Sequence, residues 1–194
     1  MSLVLASSSP RRAELLARLD LEFTVVPAEV DETRRPDEAP GVYVERLARE
    51  KVAAVAMPDV TVIAADTAVV HRGRVLGKPA HPQEARAMLA GLQGADHEVF
   101  TGVAVANDGE TASAVDVTEV KMLPMTEDEI YGYVETGEPM DKAGAYGLQG
   151  KGGVFVESIS GSPFTVIGLP IHLIPRLMRK VGVAPEHFAR RSNL

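Results

Sequence analysis

Cysteine is absent from the 194 residues, and so is tryptophan. Without thiols there are no disulfides and no thiolate metal ligands, so any metal must be held by oxygen or imidazole donors, and a hard cation is the first expectation. Long apolar runs are missing as well. The N-terminus reads Met1-Ser2-Leu3-Val4-Leu5-Ala6-Ser7, without a basic leader and with an apolar stretch too short for a signal peptide or a membrane span. A cytoplasmic protein that binds no membrane is expected. There is no excess of positive charge: 20 Lys and Arg stand against 27 Asp and Glu, a formal net charge of −7. That balance argues against a nucleic-acid surface, which needs clustered cations to displace counterions. It leaves room for a small anion if a few cations and a metal gather in one place. Repeats, low-complexity tracts and linkers are also lacking, so one folding unit over residues 1–194 is expected. The stretch after about Val183 has little apolar periodicity and reads as a disordered tail.

What is present is a 45% hydrophobic chain in which strand and helix patterns alternate. Leu3–Ala6 is a short apolar run, followed by a helix start at Ser9-Pro10 whose inward face is Leu15, Leu16 and Leu19. Phe23–Pro27 reads as a strand and 28–40 as a polar loop. Val44, Leu47, Ala48, Val52 and Val55 have helical spacing, and Lys51 falls on that apolar stripe. Val62–Ala65 suits a strand buried on both faces and ending at Asp66. A hairpin turns at Arg72-Gly73, a helix runs from about Pro82 to Leu92, and two long strands meet at Asn107-Asp108-Gly109-Glu110. Thr126 with Glu129 offers a capping box for a helix ended by Gly137. Val154–Ile159 and Phe164–Ile167 read as strands, and Pro170 opens a last helix that Pro175 should kink or shorten. The alternation favours a mixed-sheet α/β fold.

Five groups of residues could carry chemistry. Ser7, Ser8, Ser9, Arg11 and Arg12 bring hydroxyls, free N–H groups and guanidinium ions to a helix N-terminus, where a phosphate would fit. The dipole disfavours cations there, so the arginines are either solvated or have an anion to meet. Lys51 either snorkels past its helix edge or meets an anion. With Arg72-Gly73 as the turn, Thr67 faces Lys78, so Asp66, Thr67 and Lys78 share the open base of the hairpin. They form either an ordinary cross-strand ion pair or a place where a phosphate meets its metal; the position of Asp66 at the end of a buried strand favours the site. Glu29, Asp31 and Glu32 are loop carboxylates, either solvated or donating a metal ligand. Asp141–Gly150 is rich in glycine, and its Gln149 carries both a donor and an acceptor that could read a base edge; the alternative is a structural turn. Neither a P-loop nor a dinucleotide fingerprint is present, and the histidines show no zinc spacing.

These residues together resemble the Maf family, described as septum-formation inhibitors and as house-cleaning nucleotide pyrophosphatases. The resemblance runs through Leu5-Ala6-Ser7-Ser8-Ser9-Pro10-Arg11-Arg12, Val30-Asp31-Glu32-Thr33 and Arg46-Leu47-Ala48-Arg49-Glu50-Lys51. It continues through Ala65-Asp66-Thr67, Gly77-Lys78-Pro79, Asp141–Gly150 and Val166-Ile167-Gly168-Leu169-Pro170. Several separated motifs in one order are far more specific than any one of them. The departures lie in Gly161–Thr165 and in the tail, and they bear on substrate preference more than on reaction type.

The resemblance implies a mixed twisted sheet with flanking helices, two lobes around a central cleft, and by analogy a homodimer. It implies metal-dependent cleavage of a nucleoside triphosphate between its α- and β-phosphates, with Mg²⁺ or Mn²⁺ as cofactor. Asp66 matches the family's proton acceptor, and Glu32 with Asp66 matches its metal carboxylates. Ser7, Arg12, Lys51 and Lys78 match its phosphate positions. Arg11, Thr67 and Gln149 fall where the family sorts substrates, in a combination that looks like the dTTP/UTP subgroup rather than the 7-methyl-GTP subgroup. Two alternatives stand beside this: a pyrophosphatase for purine or modified nucleotides, and a nucleotide-binding regulator of cell division with little turnover.

Overall fold

Burial of Val62–Ala65 on both faces organises the sheet. In the computed structural model, which describes residues 2–184, these four side chains are fully shielded in the middle of β3 (Val60–His71). Beside it lies β1 (Ser2–Leu5), parallel, with Val4 opposite Val62 and Leu5 opposite Ile63. β1 pairs in parallel with β2 (Thr24–Val25) on its other side. Parallel pairing of this kind calls for cover on both faces, which is why β3 reads as continuous rather than alternating hydrophobicity.

The other strands are β4 (Arg74–Leu76), β5 (Asp96–Asn107), β6 (Glu110–Met122) and β7 (Val156–Ser160). The sheet order is β2-β1-β3-β5-β6-β7, with β4 attached to β3. The β3–β4 and β6–β7 pairs are antiparallel, so the sheet is mixed, as the sequence pattern led us to expect. Helices α1 (Pro10–Ala17), α2 (Pro40–Val55), α3 (Pro82–Leu92), α4 (Glu127–Glu135), α5 (Pro163–Ile167) and α6 (Ile174–Lys180) complete the regular structure.

Contacts divide the chain into two units. The first comprises residues 2–66, Thr101–Asp116 and residues 168–184 of the described chain. In it, Ala48, Val52 and Val55 of α2 join Val4, Ala6, Val62, Ala64, Ala104 and Ala106 in one core. The helix approaches so closely that a Cβ on Gly102 would fall onto the backbone carbonyl of Val44. Only glycine admits that contact, and it pins α2 against β5 about two turns before Lys51.

The second unit comprises Thr67–Phe100 and Val117–Ile167. Its core joins Leu89 and Leu92 of α3 to Ile130, Tyr133 and Val134 of α4, with Val99, Val120 and Met122 from the strands. The hairpin register is Val69 to Leu76, Val70 to Val75 and His71 to Arg74, around a turn whose two residues, Arg72 and Gly73, have φ of 49° and 73°. The Thr126/Glu129 capping box forms, and Gly137 follows α4 at φ 75°.

Several segments depart from expectation: β3 does not end at Asp66 but continues to His71, and the strand expected from Val154 starts at Val156, after a 3₁₀ turn at Lys151–Phe155. Phe164–Ile167 is helical, not extended: it lies in α5, where Pro163 takes a first-turn position and Thr165 N–H donates to the Ser162 carbonyl. The last helix does not start at Pro170. A 3₁₀ turn spans Ile171–Leu173, and α6 begins beyond it with Pro175 in its first turn, where a missing N–H costs nothing. β2 is shorter than the Phe23–Pro27 run. The tail expected after Val183 falls, beyond residue 184, outside the described residues. Among the described residues no helix is long and apolar enough to cross a membrane.

Candidate active site

The turn into α1 is built around Ser7. Ser9 occupies the N-cap position, but its side chain makes no capping bond. Instead the buried Ser7 Oγ accepts from Ser9 N–H at 3.2 Å and from Arg12 Nη1 at 3.3 Å. Arg12 Nε donates to the Gly168 carbonyl at 2.9 Å, which fixes the guanidinium from its other side. Burial pulls the pKa of Arg12 below its ordinary value; the charges of Asp66 and Glu32 oppose that shift, and Arg11 adds to it. Arg12 therefore lies within electrostatic reach of both carboxylates, and Arg11 adds a second positive charge beside it.

Strand alternation brings Asp66 to the same place as Lys51. Val62 and Ala64 face α2 in the core, and two residues further along β3 Asp66 continues that face. Lys51 lies on the buried stripe of α2, so its ammonium meets Asp66 where the apolar contact ends. Lys51 Nζ is 2.6 Å from Asp66 Oδ1 and 2.7 Å from Glu32 Oε1. The Lys51 and Asp66 side chains are 8% and 11% exposed, so this lysine does not snorkel to water. Glu32, by contrast, is 55% exposed and reaches in from its loop.

That loop is moored on both sides of Glu32. Tyr43 of α2 donates its hydroxyl proton to the Glu32 carbonyl at 2.9 Å, and Asp31 Oδ1 accepts from Thr33 N–H at 2.9 Å. Further along, Glu38 receives Arg46 as a two-pronged ion pair, Nε to Oε1 at 2.6 Å and Nη2 to Oε2 at 2.8 Å. Arg46 Nη2 also donates to the Thr33 carbonyl at 3.2 Å. The hydrogen bond from Arg46 holds the Glu38 carboxyl down to about 2 against the effect of burial. Burial, reinforced by the charges of Asp66 and Glu32, pushes the Tyr43 phenol up to about 12.

Ser7, Arg12, Glu32, Lys51 and Asp66 are thus gathered in the first unit. Asp66 pairs with Lys51, where the hairpin construction had set Lys78 near it. The antiparallel ladder stops at Val69 and Leu76, short of Thr67 and Lys78, because the chain leaves the strand at Gly77. Thr67, Lys78 and Gln149 belong to the second unit. There Gly144 N–H donates to the Gly77 carbonyl at 3.1 Å, so the glycine-rich segment lies against the residue preceding Lys78. Lys78 and Gln149 are exposed and Thr67 is half-buried. Sequence reasoning missed Tyr43, Glu38 and Arg46 as supports of Glu32. Helical spacing put Tyr43 and Arg46 off the apolar stripe of α2, and that was the available signal.

The family profile described as Maf-like protein matches residues 2–181. The dTTP/UTP pyrophosphatase of Yersinia pestis bv. Antiqua (strain Antiqua) is 51% identical, over 88% of this chain and 88% of its own length. That of Anaeromyxobacter dehalogenans (strain 2CP-C) is 51% identical over 93% and 94%, and that of Halalkalibacterium halodurans 47% identical over 93% and 96%. The solved structure of the Staphylococcus aureus Ham1 protein aligns with 75% of this chain and 85% of its own at 18% identity and a TM-score of 0.46. With the family pattern matched from Ser2 to Val181 and half the residues shared with such relatives, this chain belongs to the Maf-like protein family.

Proposed function

We propose that this chain hydrolyses dTTP and UTP to the nucleoside monophosphate and diphosphate, with a divalent cation, Mg²⁺ or Mn²⁺, as cofactor. The observation that carries the reading is the buried Lys51 ammonium held between Glu32 and Asp66. A buried ion pair gains little stability over apolar packing, because desolvation offsets its attraction. Two acids on one buried lysine therefore suit a site better than a scaffold.

Charge counting supports the metal. Glu32 and Asp66 already offset the charges of Lys51 and Arg12, whereas a triphosphate brings several negative charges that need cations of their own. The donors fit a hard cation: two carboxylates converge on one positive charge, and such oxygens are what Mg²⁺ and Mn²⁺ take, with water and phosphate oxygens filling the other positions. Among the described residues no group of three or more His, Asp or Glu side chains is placed to hold a metal. Glu32 and Asp66, which converge on Lys51, are the residues that would hold it, and bound there it would acidify water and neutralise phosphate charge.

The chain's own groups do the rest. Asp66 accepts the proton of the water that attacks the α-phosphorus, and the bond from that phosphorus to the bridging oxygen breaks, releasing diphosphate. Ser7, Arg12 and Lys51 bind phosphate oxygens, beside the N-terminal end of α1. Resemblance alone adds Lys78 to the phosphate-binding residues and Arg11, Thr67 and Gln149 to those that select the base.

The test is incubation of the purified protein with Mg²⁺ or Mn²⁺ and a panel of nucleoside triphosphates, resolving diphosphate from orthophosphate. Monophosphate and diphosphate, formed fastest from dTTP or UTP, are expected. Asp66→Asn should lower kcat by roughly 10³-fold with the fold intact. Near-normal turnover in that folded variant would remove Asp66 from its role, and orthophosphate as the product would refute the reaction type.

A further inference from the structure

The glycines at 147, 150 and 152 suggest, on sequence alone, a backbone that must come close to a ligand. The structure gives them another neighbour. A Cβ on Gly150 would fall onto the carboxylate of Glu138, one on Gly152 onto the hydroxyl of Tyr133, and one on Gly147 at 2.5 Å from Lys142 Cε. The loop is wrapped around side chains of its own unit.

Hydrogen bonds run the same way. Glu138 Oε2 accepts from Lys151 N–H at 2.8 Å, and Oε1 accepts from Gly152 N–H at 3.1 Å and from the Tyr133 hydroxyl at 2.9 Å. The Tyr133 oxygen accepts in turn from Gly147 N–H at 3.2 Å. Lys142 Nζ donates to the Glu138 carbonyl at 2.5 Å and to Asp141 Oδ1 at 2.6 Å. Burial alone would raise the pKa of Glu138, but the bonds from Gly152, Lys151 and Tyr133 outweigh it and hold the group as a carboxylate. The inward-turned N–H groups flank Gln149 on both sides, at Gly147 and at Lys151–Gly152. They are satisfied by Glu138 and Tyr133, so they do not form a phosphate cradle; among the exposed groups of the loop is the amide of Gln149, a donor and an acceptor together.

We propose that Glu138, together with Tyr133, is a positioning residue that fixes the loop carrying Gln149, so that discrimination between bases rests on a carboxylate acting through the loop. This rests on the pyrophosphatase reading and on Gln149 as a base-selecting residue. Glu138→Gln keeps the size of the side chain but turns an NH₂ group toward groups that themselves donate.

The experiment measures kcat and KM for dTTP, UTP, ATP and GTP with Mg²⁺ on the wild type, Glu138→Gln, Tyr133→Phe, Gln149→Ala and the Glu138→Gln/Gln149→Ala double variant. The preference for dTTP over GTP should fall roughly tenfold or more in Glu138→Gln, mainly through KM. It should fall alike in Gln149→Ala, with the double variant no worse than the single ones. Tyr133→Phe removes one donor to Glu138 and the acceptor for Gly147, and should shift the preference the same way by a smaller factor; it stands in if Glu138→Gln does not fold. An unchanged preference in a folded variant overturns the proposal, as does a loss that adds independently to that of Gln149→Ala. A selective wild type with equally selective variants refutes this inference alone. A wild type that turns over no nucleotide, or all of them alike, overturns the reading beneath it and this inference together.

Discussion

Replacing Lys51 by methionine would take the ammonium away from two carboxylates while leaving most of its buried stem filled, since methionine is of similar length and adapts its shape. The two acids do not respond alike. Glu32, 55% exposed, can turn to water, whereas Asp66, 11% exposed within β3, cannot. Removing one partner of a buried pair costs about 3–5 kcal/mol, and the freedom of Glu32 puts this case near the lower end, about 3 kcal/mol. Asp66→Asn is the opposite cut. It leaves Lys51 paired with Glu32 at 2.7 Å and keeps an oxygen that can accept from the ammonium, so about 1 kcal/mol is expected, the worth of an ordinary hydrogen bond. Urea melts of the three proteins in chelator-treated buffer at neutral pH would show the order wild type, Asp66→Asn, Lys51→Met. Mg²⁺ or Mn²⁺ should then stabilise Lys51→Met more than the wild type, because the cation no longer competes with the Lys51 ammonium for the two carboxylates. A Lys51→Met protein as stable as the wild type without metal would refute the claim that this ammonium neutralises Asp66. Equal responses to the cation in both proteins would refute the choice of Glu32 and Asp66 as its ligands.

Other perturbations test the supports of the site. Glu38→Gln breaks the two-pronged Arg46 pair that moors the Glu32 loop and should lower kcat/KM about tenfold while leaving the core intact, read by steady-state assay alongside circular dichroism. Gly102→Ala drives a methyl into the Val44 backbone and should cost about 1–3 kcal/mol in a denaturant melt, a loss absent if α2 can simply move away. His97 is buried against the Tyr146 hydroxyl at 2.8 Å, and burial, with His71 adding, pushes its pKa down from 6.5 to about 4. Between those values the unfolded chain takes a proton that the folded chain refuses, so this contribution is whole above pH 6.5 and lost as pH falls through about 4, an effect of about 3 kcal/mol. Stability measured against pH should fall less steeply over that window in a folded His97→Gln variant; identical slopes would refute the assignment.

What the sequence made legible were features whose cause is local. Val62–Ala65 is apolar because both its faces are covered, and the charge that ends the run marked Asp66 at once. Arg72-Gly73 could be identified as a hairpin turn because two successive positive φ angles are needed there and few residue pairs supply them. Phe164–Ile167 misled because four residues, three of them apolar, carry too little period to separate strand from helix, and the proline that decides the matter precedes them. The site divides along the same line. Periodicity placed Lys51 on a buried stripe, a position that demands an anion, yet could not say which, because Glu32 and Asp66 lie far from it along the chain and reach it only once α2 is seated on β3. Likewise the run of glycines marked where side chains are excluded without saying by what, and the excluding groups proved to be Glu138, Tyr133 and Lys142 rather than a ligand. A glycine records only a steric refusal and a buried lysine only a charge to be met. Function becomes legible only when the partner is found, and at Lys51 the partners are two acids, Glu32 and Asp66, on one buried ammonium.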